Sequence, residues 1–124
     1  MRHAFTMIEL IFVIVIIGIL ASVALPKLAA TRSDAQGATI VHNLTTCIND
    51  AGNEYMMEHS FHHFTQDDNI TSSCRVAKKC FSFTENDNNG TLQVDNLSST
   101  KKECIEAQRI ANKNILATTH SINF

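Results

Sequence analysis

Proline occurs once in this chain, at Pro26, glycine four times and tryptophan not at all. No stretch rich in glycine, serine and proline divides the sequence and no segment repeats another, so neither linker-joined domains nor a repeat array is encoded. Charge of either sign is also scarce, with 10 Lys+Arg against 12 Asp+Glu and a net charge of −2. That balance excludes a strong overall field toward nucleic acid or anionic lipid and leaves such binding to a local patch. The length, 124 residues, allows one small domain. Beyond the apolar run from Phe5 to Leu25 stand 99 residues, and a remainder of that size buries only roughly 60 to 65% of its unfolded surface. Two-domain dehydrogenases, P-loop enzymes, barrels and deep cofactor clefts are excluded by size, and no cofactor is expected.

Four cysteines are present, Cys47, Cys74, Cys80 and Cys104, all after the apolar run. An even number in a small polar segment reads as two disulfides and places that segment on the oxidising side of a membrane. A zinc site is the competing use of four thiolates. Zinc ribbons present pairs two to four residues apart, whereas Cys74 and Cys80, the closest pair here, are separated by five.

At a helical rise of about 1.5 Å per residue, Phe5 to Leu25 spans roughly 30 Å, the thickness of a bilayer's hydrocarbon core. Arg2 and the terminal amine, ahead of the run, favour leaving this end in the cytoplasm and exporting the rest. Ser22-Val23-Ala24 has the small-x-small form of an ordinary signal-peptide cleavage site. Glu9 argues against that use, because a carboxylate within a hydrophobic run costs on the order of 2.5 to 3.5 kcal/mol at mid-membrane and by default marks a function.

The segment Ala4-Phe5-Thr6-Met7-Ile8-Glu9-Leu10, the aliphatic run containing Gly18, and the ending Ala24-Leu25-Pro26-Lys27 together resemble the class III signal of type IV pilins and type II secretion pseudopilins. The resemblance covers residues 4 to 27. It implies a leader at 1–4 removed by prepilin peptidase between Ala4 and Phe5, with methylation of the new Phe5 amine by the same enzyme. Ala4 stands where the family usually has glycine. Glu9 becomes the fifth mature residue, which in the family pairs with the N-terminal ammonium of the neighbouring subunit, and Gly18 and Pro26 occupy helix-softening positions. The implied chain has a transmembrane and polymerisation segment at 5–26 and an exported domain at 27–124. It sits in the bacterial inner membrane as a single pass with its domain in the periplasm, and then enters a pilus or pseudopilus. The implied partners are prepilin peptidase, the inner-membrane assembly platform, membrane lipid before assembly, and other pilins or pseudopilins in a homo- or hetero-polymer. Electrostatics agree independently: an ammonium and a carboxylate each held alone in lipid are costly, and pairing relieves both.

Beyond Pro26, apolar residues recur at helical spacing through Leu28, Ala35, Ile40, Leu44, Cys47, Ile48, Ala51 and Tyr55. We read one helix from about Thr6 to about Met57, bent at Pro26. Gly37 and Gly52 weaken that helix, and Tyr55 and Met56 read as core and boundary residues. Glu58 to Ser73 reads as a polar loop. Phe81-Ser82-Phe83 and Leu92-Gln93-Val94 alternate around Asn88-Asn89-Gly90, a hairpin signal. Thr100-Lys101-Lys102-Glu103 has capping-box form and opens a second helix through about Lys113. A last strand uses Leu116, Thr118, His120, Ile122 and Phe124 on one face. The expected fold is α+β and pilin-like: a long N-terminal helix packed on a small antiparallel sheet of about three strands. Of three possible disulfide pairings we favour Cys47 with Cys74 and Cys80 with Cys104, since a bond between Cys74 and Cys80 leaves the loop and second helix unfastened.

Other clusters have plainer readings. His59, His62 and His63 beside Met56, Met57 and Glu58 have copper or zinc spacing but no third ligand set, so we read a solvated helix end and expect no metal. Glu85-x-Asp87-x-Asn89-Gly90 partly resembles a calcium loop, and some pseudopilins bind calcium. Asn96 stands where a bidentate glutamate is needed, so we read a hairpin turn. Arg75, Lys78 and Lys79 with Lys101 and Lys102, near Phe81 or Phe83, outline a nucleic-acid patch, but interleaved Asp87, Asp95, Glu103 and Glu106 favour plain solvated surface. Asn69-Ile70-Thr71 and Asn89-Gly90-Thr91 are glycosylation sequons, a pattern frequent by chance. No catalytic residues emerge. The expected function is a non-enzymatic filament subunit, with a minor pilin that binds DNA or a surface as the alternative and a secreted metal carrier or enzyme behind an ordinary signal as the third. Glu9 speaks against a tip subunit, which in the family usually lacks it. With Pro26 the sole proline, the Tyr-Pro segment of major secretion pseudopilins is missing, favouring a pilin or minor pseudopilin.

Overall fold

A computed structural model describes residues 3–61, 70–114 and 120–124. Its elements are α1 (Met7–Glu58), α2 (Ser72–Ala77), β1 (Phe81–Asn86), β2 (Thr91–Asn96), α3 (Lys102–Lys113) and β3 (His120–Asn123). The chain divides into two compact units, residues 1–32 and 33–124, each described by itself. The architecture is α+β and pilin-like, with a long N-terminal helix and a small three-stranded antiparallel sheet.

In the second unit the helix face Gly37, Ile40, Val41, Leu44, Cys47, Ile48, Ala51 and Gly52 is buried. The spacing of three and four residues puts these on one stripe of α1. The stripe begins later than its sequence pattern, because Leu28 and Ala35 are exposed. Met56 is exposed as well, not a boundary residue, while Tyr55 is half-buried. Against the stripe lie Phe81 of β1, Leu92 and Val94 of β2, and Cys104, Ala107 and Ala111 of α3, all in one core. Burying each of the larger of these side chains contributes about 1.5 to 3 kcal/mol. Alternation along the strands produces this one-sidedness: Leu92 and Val94 point in, and Thr91, Gln93 and Asp95 are partly exposed.

The sheet order is β1-β2-β3, with Phe81 opposite Asn96 and Asn86 opposite Thr91 in the hairpin, and Thr91 opposite Asn123 across the second pair. The hairpin extends further than its apolar alternation, to Asn86 and Asn96, because strand pairing needs only backbone partners. Leu116 and Thr118, expected in the last strand, lie outside the described residues.

Two departures from the sequence reading concern helix starts. The segment 72–77, of which the sequence reading gives residues 72 and 73 to the end of a loop and the rest to no element, forms α2, capped by Thr71, whose side chain accepts from the Cys74 N–H at 3.3 Å. Helix α3 begins one residue later than its capping-box pattern, with Lys101 as N-cap and no side-chain cap bond. The disulfide at Cys104 and the bonds of Gln108 fix this end in place of a cap: Gln108 Nε2 donates to the carbonyls of Cys80 at 2.8 Å and Leu97 at 2.6 Å.

The two helix glycines also act differently from expectation. A Cβ at Gly37 would lie 2.9 Å from the Glu106 side chain, and one at Gly52 would lie 2.5 Å from the Phe124 ring. Both glycines trade helix propensity for close approach, which lets α3 and the C-terminal residue seat on α1.

Candidate functional site

The first unit presents an apolar surface. The helix has a window of mean hydropathy 2.9 within which none of the residues is buried. A helix of a soluble core would be covered on at least one side, and this one is long and apolar enough to cross a membrane. Phe5 is 87% exposed, and Ile8, Phe12, Ile17, Leu20 and Leu25 are likewise exposed.

Ala4 and Phe5 precede the first helical residue, Met7, and both are exposed. The peptide bond between them lies ahead of the helix. Helix α1 then opens with Thr6 as its flanking residue. The Thr6 N–H and Oγ1 both donate to Glu9 Oε2, each at 2.9 Å, and the Glu9 N–H donates to Thr6 Oγ1 at 3.4 Å. This is a complete capping box, and it satisfies helix-end donors that lipid cannot solvate. Sequence reasoning selected Glu9 and passed over Thr6; the spacing Thr-x-x-Glu at the start of an apolar run was the available signal. Gly18 lies within the helix, where an added Cβ would meet nothing within 4 Å, and Pro26 is also helical, leaving the Ser22 carbonyl without its usual donor. Ser22 Oγ donates to the Ile19 carbonyl at 2.7 Å.

In the second unit two disulfides join Cys47 to Cys74 and Cys80 to Cys104, the pairing favoured from the sequence, with Cα separations of 4.7 and 5.1 Å. All four cysteines are buried. The first bond fastens α2 to α1 and the second fastens α3 to the entry of β1. The second also ties the turn carrying Lys78 and Lys79 to the helix start carrying Lys101 and Lys102, and Cys104 Sγ lies 3.7 Å from the Lys79 carbonyl. Phe81 is fully buried, so it offers no face for base stacking.

The calcium-like stretch runs from the end of β1 into a tight turn, and its Asp87 is engaged internally. Asp87 accepts from the Phe61 N–H at 3.0 Å and from Ser60 Oγ at 3.4 Å, and its carbonyl accepts from the Tyr55 hydroxyl at 3.1 Å. Among the described residues no three His, Cys, Asp or Glu side chains gather to hold a metal. His59 is exposed and stacks on Tyr55, whereas His62, His63 and the sequon residue Asn69 lie outside the described residues. Asn89 is exposed in the turn. On α3 the Arg109 guanidinium bonds the Glu106 carboxylate and holds it below the usual carboxylate range, while Glu106 and then Asp34 raise Arg109.

Residues 1–25, of 124, match the family model described as the prokaryotic N-terminal methylation motif. No curated protein and no solved structure matches the chain. The motif implies processing by prepilin peptidase and assembly with pilins, and with the long apolar helix it fits an inner-membrane-anchored protein. The chain carries the N-terminal methylation signature of the type IV pilins and pseudopilins, and that signature points to a structural protein.

Proposed function

We propose that this protein is a non-enzymatic subunit of a type IV pilus-like filament or type II secretion pseudopilus. Prepilin peptidase removes residues 1–4 and methylates the Phe5 amine. Residues 5–26 hold the subunit in the inner membrane, with residues 27–124 in the periplasm, until the assembly platform draws it into the polymer. The observation that carries this reading is an uncovered apolar helix with one carboxylate, Glu9, in its first turn. Such a helix has two stable surroundings, lipid or a bundle of like helices, and the carboxylate needs a cation in either. A Phe5 ammonium from an adjacent copy supplies the cation and sets one axial register. Intact mass spectrometry of the mature protein tests the processing step. The expected chain begins at Phe5, bears one methyl group and retains its apolar helix; a chain cut after Ala24 refutes the reading in favour of ordinary secretion.

A second reading, a minor pilin that captures DNA or a surface, is favoured by one observation: the two lysine pairs flank the ends of one disulfide, Cys80–Cys104. It predicts DNA binding by the full chain in detergent that weakens steeply with salt. Glu103, directly beside Cys104 in the sequence, tempers the positive field there, and the filament reading stands ahead of this one.

A further inference from the structure

Arg75, Lys78, Lys79, Lys101 and Lys102 stand against a single carboxylate, Glu103, in the segments 74–83 and 96–105. None of these cations forms an ion pair among the described residues, whereas the acids interleaved with them in the sequence are engaged elsewhere: Glu106 with Arg109, Asp87 with Phe61 and Ser60, and Asp95 with Gln93 Nε2 at 3.0 Å. The Cys80–Cys104 bond gathers the two lysine pairs, and two aliphatic side chains with them. The Leu97 N–H donates to the Cys80 carbonyl at 3.1 Å, and Ile105 directly follows Cys104. Leu97 is 40% and Ile105 52% exposed. Among the described residues of the second unit the exposed large apolar side chains are Met56, Met57, Leu97 and Ile105, so half of them lie in the cationic patch.

Lysines around exposed aliphatic groups suit a surface that rests on an anionic bilayer, with the ammonium groups at the headgroups and the aliphatic groups passing beneath them. A nucleic-acid duplex has no use for Leu97 and Ile105, and Phe81, which would stack on unpaired bases, is fully buried. The bilayer is also within reach. Leu25 ends the apolar run and Ser33 opens the second unit eight residues later, at most roughly 30 Å of chain.

We propose that the surface around the Cys80–Cys104 bond, made of Lys78, Lys79, Lys101, Lys102, Leu97 and Ile105, docks the second unit on anionic phospholipid headgroups before assembly. The inference rests on the membrane-anchored reading above. Tethering makes the docking intramolecular, so a patch too weak to bring a free domain to a membrane suffices here. The attraction is largely electrostatic and reversible, which leaves the unit able to depart with its helix when the polymer takes it up. These lysines are the ones that carry the DNA reading, so the two occupants exclude each other.

The test uses tryptophan, which this chain lacks, as a reporter. The full chain carrying Ile105→Trp is reconstituted through its own apolar helix into vesicles of phosphatidylcholine alone and of an equal mixture of phosphatidylcholine and phosphatidylglycerol. Quenching of the tryptophan by lipid brominated just beneath the headgroup reads contact. The expected result is quenching in the mixed vesicles and none in phosphatidylcholine alone, with loss of quenching at about 1 M salt, where charges are screened beyond about 3 Å. Adding Lys101→Ala and Lys102→Ala is expected to lower the ratio of docked to free domain about thirtyfold, at about fivefold for each lysine near an anionic surface. Leu97→Trp repeats the measurement from the other end of the patch if Ile105→Trp does not fold. Equal quenching in the two kinds of vesicle, or none in either, overturns the docking, as does quenching that the lysine changes leave untouched. A response to duplex DNA added to phosphatidylcholine vesicles, with none to phosphatidylglycerol, overturns it in favour of nucleic acid. A chain that fails to float with vesicles of either composition refutes instead the membrane anchoring, and the inference with it.

Discussion

At Gly90 the backbone turns with a φ of +61°, and the Tyr55 ring lies where a side chain would project, its Cε1 2.6 Å from the Cβ position. Both the conformation and the space demand glycine, and the Asn-Gly pair in a hairpin sequence announced the first demand but not the second. Gly90→Ala is expected to destabilise the domain by about 2 to 4 kcal/mol in chemical denaturation, summing an unfavourable φ with overpacking. Gly18→Ala, where no neighbour lies within 4 Å, serves as the contrasting variant. A loss below about 1 kcal/mol at Gly90 shows that Tyr55 moves aside and refutes the account. Glu106 illustrates a charge whose role depends on pH. Its carboxyl is lowered by its bond to Arg109, so its contribution is present above the ordinary glutamate range and fades as pH falls through the lowered value. Glu106→Gln is therefore expected to melt slightly earlier than wild type near neutral pH, with the gap closing in acid; a gap unchanged at roughly pH 2 rules out the ion pair as its source. Among the site residues, Glu9 was legible because a lone carboxylate in an aliphatic run is too costly to stand there without a role. Thr6 was not, because threonine also occurs in such runs without one.

At the scale of elements, α1 and the hairpin were legible from periodicity because each buries one face, and α3 was legible from its capping-box pattern. Helix α2 was not, since it has six residues and sits in a polar stretch. So short a helix does not form by its own propensity. It is held by the Thr71 cap at one end and by the Cys47–Cys74 bond, and nothing local in the sequence distinguishes such a tethered turn from a loop. The start of α3 misled for a related reason: Thr100 and Glu103 match a capping box, but the second disulfide and Gln108 place the chain one residue later. The two bridges close sequence separations of 27 and 24 residues, for which chain entropy gives about 3 to 4 kcal/mol each. Replacing Cys80 and Cys104 together by serine is expected to lower stability by about that amount and to loosen α3 while α2 stays fastened. Hydrogen exchange resolves the two: rapid exchange confined to α3 and the start of β1 is the expected pattern, and uniform acceleration over α2 as well counts against independent fastening.

At the scale of the whole molecule, the chain separates what must be apolar outside from what must be apolar inside. Every residue of the core, from Ile40 onward, belongs to the unit 33–124, as do both disulfides. Among the described residues the unit 1–32 contributes none to the core, and its large apolar side chains are exposed. The core of the second unit is thus built, among the described residues, from its own side chains, and an exposed apolar surface such as that of the first is costly in water. Hydropathy alone separates the apolar run from the polar remainder, and the second compact unit begins at Ser33. A fragment of residues 33–124, secreted to an oxidising compartment, is expected to be soluble, to hold both disulfides and to unfold in one cooperative transition. Reduction should abolish that transition, because a domain of this size has only a few kcal/mol of stability to spare against two lost bridges. The fragment should also fail to enter filaments when co-expressed with the full chain, since it has neither the Phe5 amine nor Glu9. A fragment that stays unfolded with both disulfides formed shows that residues 1–32 supply folding energy after all, and one that enters filaments places the polymerising contacts in the second unit.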